Sequence, residues 1–184
     1  MEKCLVLDFD DTLVKTIDTH AASWKHALDR VLKIDVPIET IMADINFGMD
    51  VLLRKFQLTQ EEQDLAKKYK KEIFEKNLHK TRVNKLLLYI IENNLFEDYV
   101  IASNSSRENL DKIMAYHGID EKLFYRIFTR DDVKNKKPHK EMGNKIIDAF
   151  SGLYEPKDFL MVGDSNVDKL FSQKLGIKCI LIKC

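Results

Sequence analysis

Apolar positions along this chain follow two different repeats. Short, nearly continuous apolar runs occur at Cys4–Leu7, Tyr99–Ala102, Phe159–Val162 and Ile177–Ile182, with a weaker run at Arg126–Phe128. Runs that are apolar on both faces are what strands buried within a parallel sheet require. Between them the spacing becomes helical. Val83–Glu92 carries Leu86, Leu87, Ile90 and Ile91 on one helical face. Arg107–His117 and Val167–Leu175 run up to Gly118 and Gly176, glycines placed to close a helix C-terminus. Strands alternating with helices predict an α/β fold, a Rossmann-like parallel sheet with right-handed crossovers and helices on both faces.

The first crossover is too long for that scheme. About ninety residues separate the first strand from the second, whereas a single crossover helix needs about a dozen. Helical patterns fill the gap at Thr19–Lys33, Pro37–Asn46, Met49–Leu58 and from Thr59 to about Leu78. Gly48 breaks the second from the third, and Thr59-Gln-Glu-Glu62 is a capping box opening the fourth. The pattern therefore predicts a core domain of residues 1–15 and 81–184, interrupted by an all-helical cap domain of residues 16–80.

Composition narrows the function classes. Apolar residues make up 45% of the 184 and charged residues 33%, ordinary for a globular chain, and 30 Lys+Arg balance 30 Asp+Glu. That balance argues against nucleic acid as a partner, and no apolar run approaches the roughly 18 residues of a membrane span. The N-terminus enters a strand pattern at once, which leaves no room for a signal peptide. A cytoplasmic monomer is the expectation. Cys4, Cys179 and Cys184 have no CxxC spacing and suggest neither zinc nor a disulfide framework.

The stretch "CLVLDFDDTLV" sets Asp8, Asp10 and Asp11 directly behind a core strand. Crowded carboxylates repel unless a cation or a proton compensates. Three further polar clusters follow predicted strands or precede a helix: Ser103-Asn104, Lys136-Lys137-Pro138 and Gly163-Asp164-Ser165-Asn166-Val167-Asp168. Open parallel sheets bind ligands beyond their C-terminal strand ends, so these clusters are expected to meet. Together they point to phosphoryl transfer on Mg²⁺, a cation that takes a few carboxylates and a substrate phosphate. Asp8 and Asp164 can supply the carboxylates. A carboxylate nucleophile can accept the phosphoryl group, and Asp10, kept beside Asp8 by alternation along an extended loop, can serve as acid and then base. Ser103, Asn104 and Lys137 offer the hydroxyl, amide and ammonium that hold phosphoryl oxygens.

The order DxDxT, strand-Ser-Asn, Lys-Pro, GDSxxD resembles the haloacid dehalogenase-like superfamily over nearly the whole chain. The helical insert is similar to the type 1 cap of class I members such as phosphoglycolate phosphatases and β-phosphoglucomutases. The resemblance implies that Asp8 is the nucleophile and Asp10 the general acid/base, with the Asp10 carbonyl also on Mg²⁺. It implies that Thr12 and Ser103 brace the phosphate, that Lys137 rather than Lys136 balances charge, that Asp164 binds metal and that Asp168 acts from behind it. The paired Asp8 and Asp10 match the phosphatase branch. Two departures stand out: many relatives carry Gly at the position of Asp11, and many continue beyond the last strand. Asp11 is therefore expected to point away from the phosphate or to reorganise the loop.

The implied function is a Mg²⁺-dependent phosphatase acting on a small phosphorylated metabolite: a sugar phosphate, a nucleotide or a phosphorylated acid. A sugar phosphomutase is the enzyme alternative. A signalling receiver domain and a non-catalytic binder of phosphorylated ligands are remoter ones. His20, Gly48 and Arg54 are the cap residues singled out for substrate specificity. Competing structural readings are a helix cap for Ser103, a first-turn dipole partner for Asp168, a core pair of His20 with Trp24, and a solvated helix face for Arg54.

Overall fold

The computed structural model describes residues 2–45 and 49–183, and Gly48 lies outside the described residues. The chain divides into two compact units, Met1–Lys15 with Arg82–Cys184, and Thr16–Thr81.

The first unit is built on a five-stranded sheet of order β5-β4-β1-β6-β7, parallel throughout. Its strands are β1 (Cys4–Leu7), β4 (Asp98–Ala102), β5 (Arg126–Phe128), β6 (Phe159–Gly163) and β7 (Lys178–Leu181). β1 is central and buried along its whole length, as its unbroken apolar run requires. From β1 the chain moves outward through β4 to β5, then returns across β1 to β6 and β7. The reversal falls at β1, and the register there pairs Leu7 with both Ile101 of β4 and Val162 of β6. Asp8, the residues after Ala102 and the residues after Val162 therefore emerge level with one another.

Four helices accompany the sheet: α5 (Lys85–Glu92), α6 (Arg107–His117), α7 (Glu141–Ala149) and α8 (Asn166–Leu175). α6 and α8 end at Gly118 and Gly176 in the left-handed conformation, with φ of 67° and 68°. α5 starts later than the apolar pattern suggests because Asn84 caps it, accepting from the Leu87 N–H. One sheet face, carrying Cys4, Val6, Val100, Ala102, Phe159 and Met161, is covered by Met142, Ile146, Phe150 and Phe171. Sequence spacing does not show a short antiparallel pair, β2 (Val14–Lys15) with β3 (Arg82–Val83), standing immediately before and after the segment that forms the second unit.

That second unit contains α1 (Ile17–Leu32), α2 (Ile38–Ile45), α3 (Met49–Lys55) and α4 (Gln60–Lys76). Ala21, Trp24, Ala27 and Leu28 of α1 form its core with Val36, Ile41, Leu52, Leu53, Leu58 and Ala66. Thr59 and Glu62 form the capping box in both directions at the start of α4. Trp24 is buried, and the His20 imidazole stacks on Phe74 of α4 at 4.2 Å between ring centres. Arg54 is exposed on α3. Among the described residues no helix is long and apolar enough to cross a membrane.

Candidate active site

The chain leaves β1 through Asp8, whose N–H donates to the Val162 carbonyl at 2.9 Å. Its side chain is buried and engaged at both oxygens. Oδ1 accepts from the Lys137 ammonium at 2.7 Å and Oδ2 from the Thr12 hydroxyl at 3.1 Å. The loop that follows is not extended. The Phe9 carbonyl gathers the N–H groups of Leu13 and Val14 at 3.0 Å, and the Asp11 N–H donates to the Val14 carbonyl at 2.7 Å. Closing this turn puts Asp11 at φ 60°, the left-handed region that glycine occupies without penalty. The expectation of simple alternation thus gives way to a tight turn. Asp10 Oδ2 accepts a hydrogen bond from the Ser105 hydroxyl at 2.6 Å.

β4 delivers Ser103, buried, with its N–H on the Phe128 carbonyl and its hydroxyl oxygen accepting from the Ser105 N–H at 3.0 Å. The cap of α6 is Ser106, not Ser103. Asn104, expected to hold phosphate, is engaged with the Lys137 backbone. Its Nδ2 donates to the Lys137 carbonyl and its Oδ1 accepts from the Lys137 N–H, each at 2.9 Å. Both ends of the carboxamide hold the Lys137 backbone in place.

Lys137 is 3% exposed, while Lys136 lies in solvent. The Lys137 ammonium bridges Asp8 and Asp168, 2.7 Å from an oxygen of each. Burial works against its charge, but the two carboxylates outweigh that and push its pKa up to about 12. It stays an ammonium at neutral pH.

β6 ends at Gly163, where a Cβ would lie 2.4–2.6 Å from the Asp168 side chain. Only glycine leaves room for Asp168 to turn back under the strand end. There Asp168 accepts from the Ser165 N–H and hydroxyl, closing the capping box of α8, and reaches Lys137 with its other oxygen. One side chain thus serves the first turn of α8 and contacts Lys137.

Asp8, Asp164 and Asp168 each offer a carboxylate oxygen within 4.8 Å of the others. Burial, joined by the charges of Asp168 and Asp11, pushes Asp164 up to about 6. Burial likewise pushes Asp8 upward; Lys137 opposes the shift, and Asp168 and Asp10 add to it. One ammonium thus faces several carboxylates, and the group retains an unbalanced negative charge in an oxygen-only donor set. That is the environment a hard divalent cation fits.

The sequence profile of haloacid dehalogenase-like hydrolases matches residues 5–182. The chain belongs to this family. It is accordingly a hydrolase, an enzyme. A predicted phosphoglycolate phosphatase from Haemophilus somnus is similar to it at 25% identity and a TM-score of 0.84, over 98% of this chain and 84% of that one. A HAD-superfamily hydrolase of subfamily IA from Geobacter sulfurreducens shares 17% identity with a TM-score of 0.75, over 98% and 86%. The provisionally named HAD-hydrolase YfnB from Bacillus subtilis, solved bound to magnesium, shares 19% with a TM-score of 0.72, over 98% and 86%. No curated protein matches the chain by sequence.

In this hydrolase the structure gathers Asp8, Thr12, Lys137, Asp164 and Asp168 around one point, with Asp10, Ser103 and Asn104 tied in by the bonds above. His20 and Arg54 belong to the helical unit. Ser105 escaped sequence reading because its hydroxyl serves a partner 95 positions away.

Proposed function

We propose that this hydrolase is a Mg²⁺-dependent phosphatase, removing phosphate from a small phosphomonoester by way of a phosphoryl group carried on Asp8. The observation that supports it is a buried carboxylate at the end of the central strand, held by Lys137 on one oxygen and Thr12 on the other, with the Asp164 and Asp168 oxygens within 4.8 Å. The Asp8 and Asp164 carboxylates and the Asp10 carbonyl would hold Mg²⁺, which when bound supplies positive charge against the phosphoryl oxygens.

The chain's own groups carry the steps. An Asp8 oxygen forms a bond to phosphorus as the bond to the leaving oxygen breaks, and Asp10 protonates that oxygen. Water then attacks phosphorus and gives its proton to Asp10, and the bond to Asp8 breaks. Thr12 and Ser103 brace the phosphoryl group with their hydroxyls. Lys137 fixes the direction of Asp8 and offsets charge, while Asn104 acts by holding Lys137.

The leaving group is a sugar, a nucleoside or a small acid. Phosphorylated acids are favoured for a first test by the phosphoglycolate phosphatase among the similar structures. The test is a panel of sugar phosphates, nucleoside monophosphates and phosphorylated acids, with Mg²⁺ and with EDTA. Phosphate release from at least one class, abolished by EDTA, is the expected result; silence on all of them, including an activated aryl phosphate, overturns the reading.

A further inference from the structure

We infer that Ser105 is a positioning residue for the acid/base carboxylate, setting Asp10 in place through a side-chain hydrogen bond from the neighbouring strand end. The inference rests on the proposed phosphatase reading and extends it to a residue outside the four motifs.

Ser105 is fixed on three sides. Its N–H donates to the Ser103 hydroxyl oxygen at 3.0 Å, and its carbonyl accepts from the Arg130 N–H at 3.1 Å. With the backbone held at both ends, the hydroxyl has only its own rotamer to choose. It donates to Asp10 Oδ2 at 2.6 Å, a short hydroxyl–carboxyl hydrogen bond. Asp10 sits in the turn whose backbone bonds converge on Phe9 and Val14.

The chain of contacts has a direction. The hydroxyl of Ser103, assigned to the phosphate, anchors the backbone of Ser105; Ser105 orients Asp10; Asp10 serves the leaving oxygen. The group that holds the phosphate is thereby coupled to the group that moves its proton. Proton transfer at hydrogen-bond distance is sensitive to such placement, since misplacement by about 1 Å can cost about a hundredfold in rate.

The test is a double-mutant cycle of Ser105→Ala and Asp10→Asn, assayed on phosphomonoesters of increasing leaving-group pKa with Mg²⁺ present. Ser105→Ala is expected to lower kcat about ten- to a hundredfold on alkyl phosphates, much less on nitrophenyl phosphate, with KM little changed. Ser105→Thr should restore most of the loss, and Ser105→Ala should add nothing in the Asp10→Asn background. A uniform loss across leaving groups, an undiminished loss in the Asp10→Asn background, or no loss at all overturns the proposal. If Asp10→Asn is itself insensitive to the leaving group, the acid/base assignment falls and takes this inference with it. A leaving-group-sensitive Asp10→Asn beside an insensitive Ser105→Ala overturns the Ser105 role alone.

Discussion

Replacing Lys137 by methionine keeps most of the side chain's volume and removes only its charge. In Lys137→Met two buried carboxylates, Asp8 and Asp168, lose an ammonium that lies 2.7 Å from each. Losing one partner of a buried ion pair costs about 3–5 kcal/mol, because the survivor keeps its desolvation penalty without compensation. Here two survivors also repel each other, while Thr12 and Ser165 still donate to them and temper the loss. We therefore expect destabilisation of about 3–5 kcal/mol without metal. At about 2–4 °C per kcal/mol for a chain of this size, the thermal midpoint should drop by about 6–20 °C. Thermal denaturation followed by circular dichroism, in EDTA near neutral pH, measures it.

Two conditions should restore part of the loss. Mg²⁺ would neutralise the group by binding Asp8 and Asp164. Mild acid should also help, since burial already raises the affinity of Asp8 for a proton. The folded variant then binds more protons than the unfolded chain, so its stability rises as pH falls. A loss under about 1 kcal/mol, indifferent to Mg²⁺ and pH, would refute the claim that Lys137 holds two buried charges together.

Asp164, displaced from 3.8 to about 6, binds a proton more readily folded than unfolded. Metal-free stability should therefore fall as pH rises through that interval, by more in wild type than in Asp164→Asn, which thermal midpoints at several pH values will show. Apparent Mg²⁺ affinity, measured by calorimetry, should weaken by at least about tenfold for each pH unit below about 6, and Asp164→Asn should be partly rescued by excess Mg²⁺. Arg54→Ala should lower kcat/KM on the natural substrate by about 1.5–3 kcal/mol while sparing a small aryl phosphate, if its guanidinium holds the substrate's far end; equal loss on both substrates, or none, contradicts that role.

The parts of this fold that the sequence reveals are those set by local signals. The apolar run Cys4–Leu7 reads as a buried strand and is one, and Gly118 and Gly176 close α6 and α8 where their spacing says they should. The Thr59–Glu62 capping box is a reciprocal contact over three residues, so four letters suffice to see it. β2 and β3 escape because two-residue strands have no period to detect. The same limit governs the site. Acidic residues at strand ends announce themselves, but the carboxamide of Asn104 meets Lys137 across 33 positions and the hydroxyl of Ser105 meets Asp10 across 95. Nothing local distinguishes Ser103, Ser105 and Ser106, which the fold sends respectively to the strand end, to Asp10 and to the cap of α6. The turn at Asp11 also defeated simple alternation, because the Phe9 carbonyl collects N–H groups that an extended loop would leave apart.

The central claim is that Asp8 carries the phosphoryl group during turnover. It is tested most directly by mixing enzyme, Mg²⁺ and an activated aryl phosphate, quenching in acid within one turnover, and mapping the modified peptide by mass spectrometry. The account predicts one acid-stable, base-labile phosphoryl group on Asp8 in the wild type, accumulating further in Asp10→Asn because no base remains for the water, and absent with EDTA or in Asp8→Asn, which should also lose hydrolysis. Wild-type turnover by Asp8→Asn, or a phosphoryl group mapped to any other residue, would contradict it.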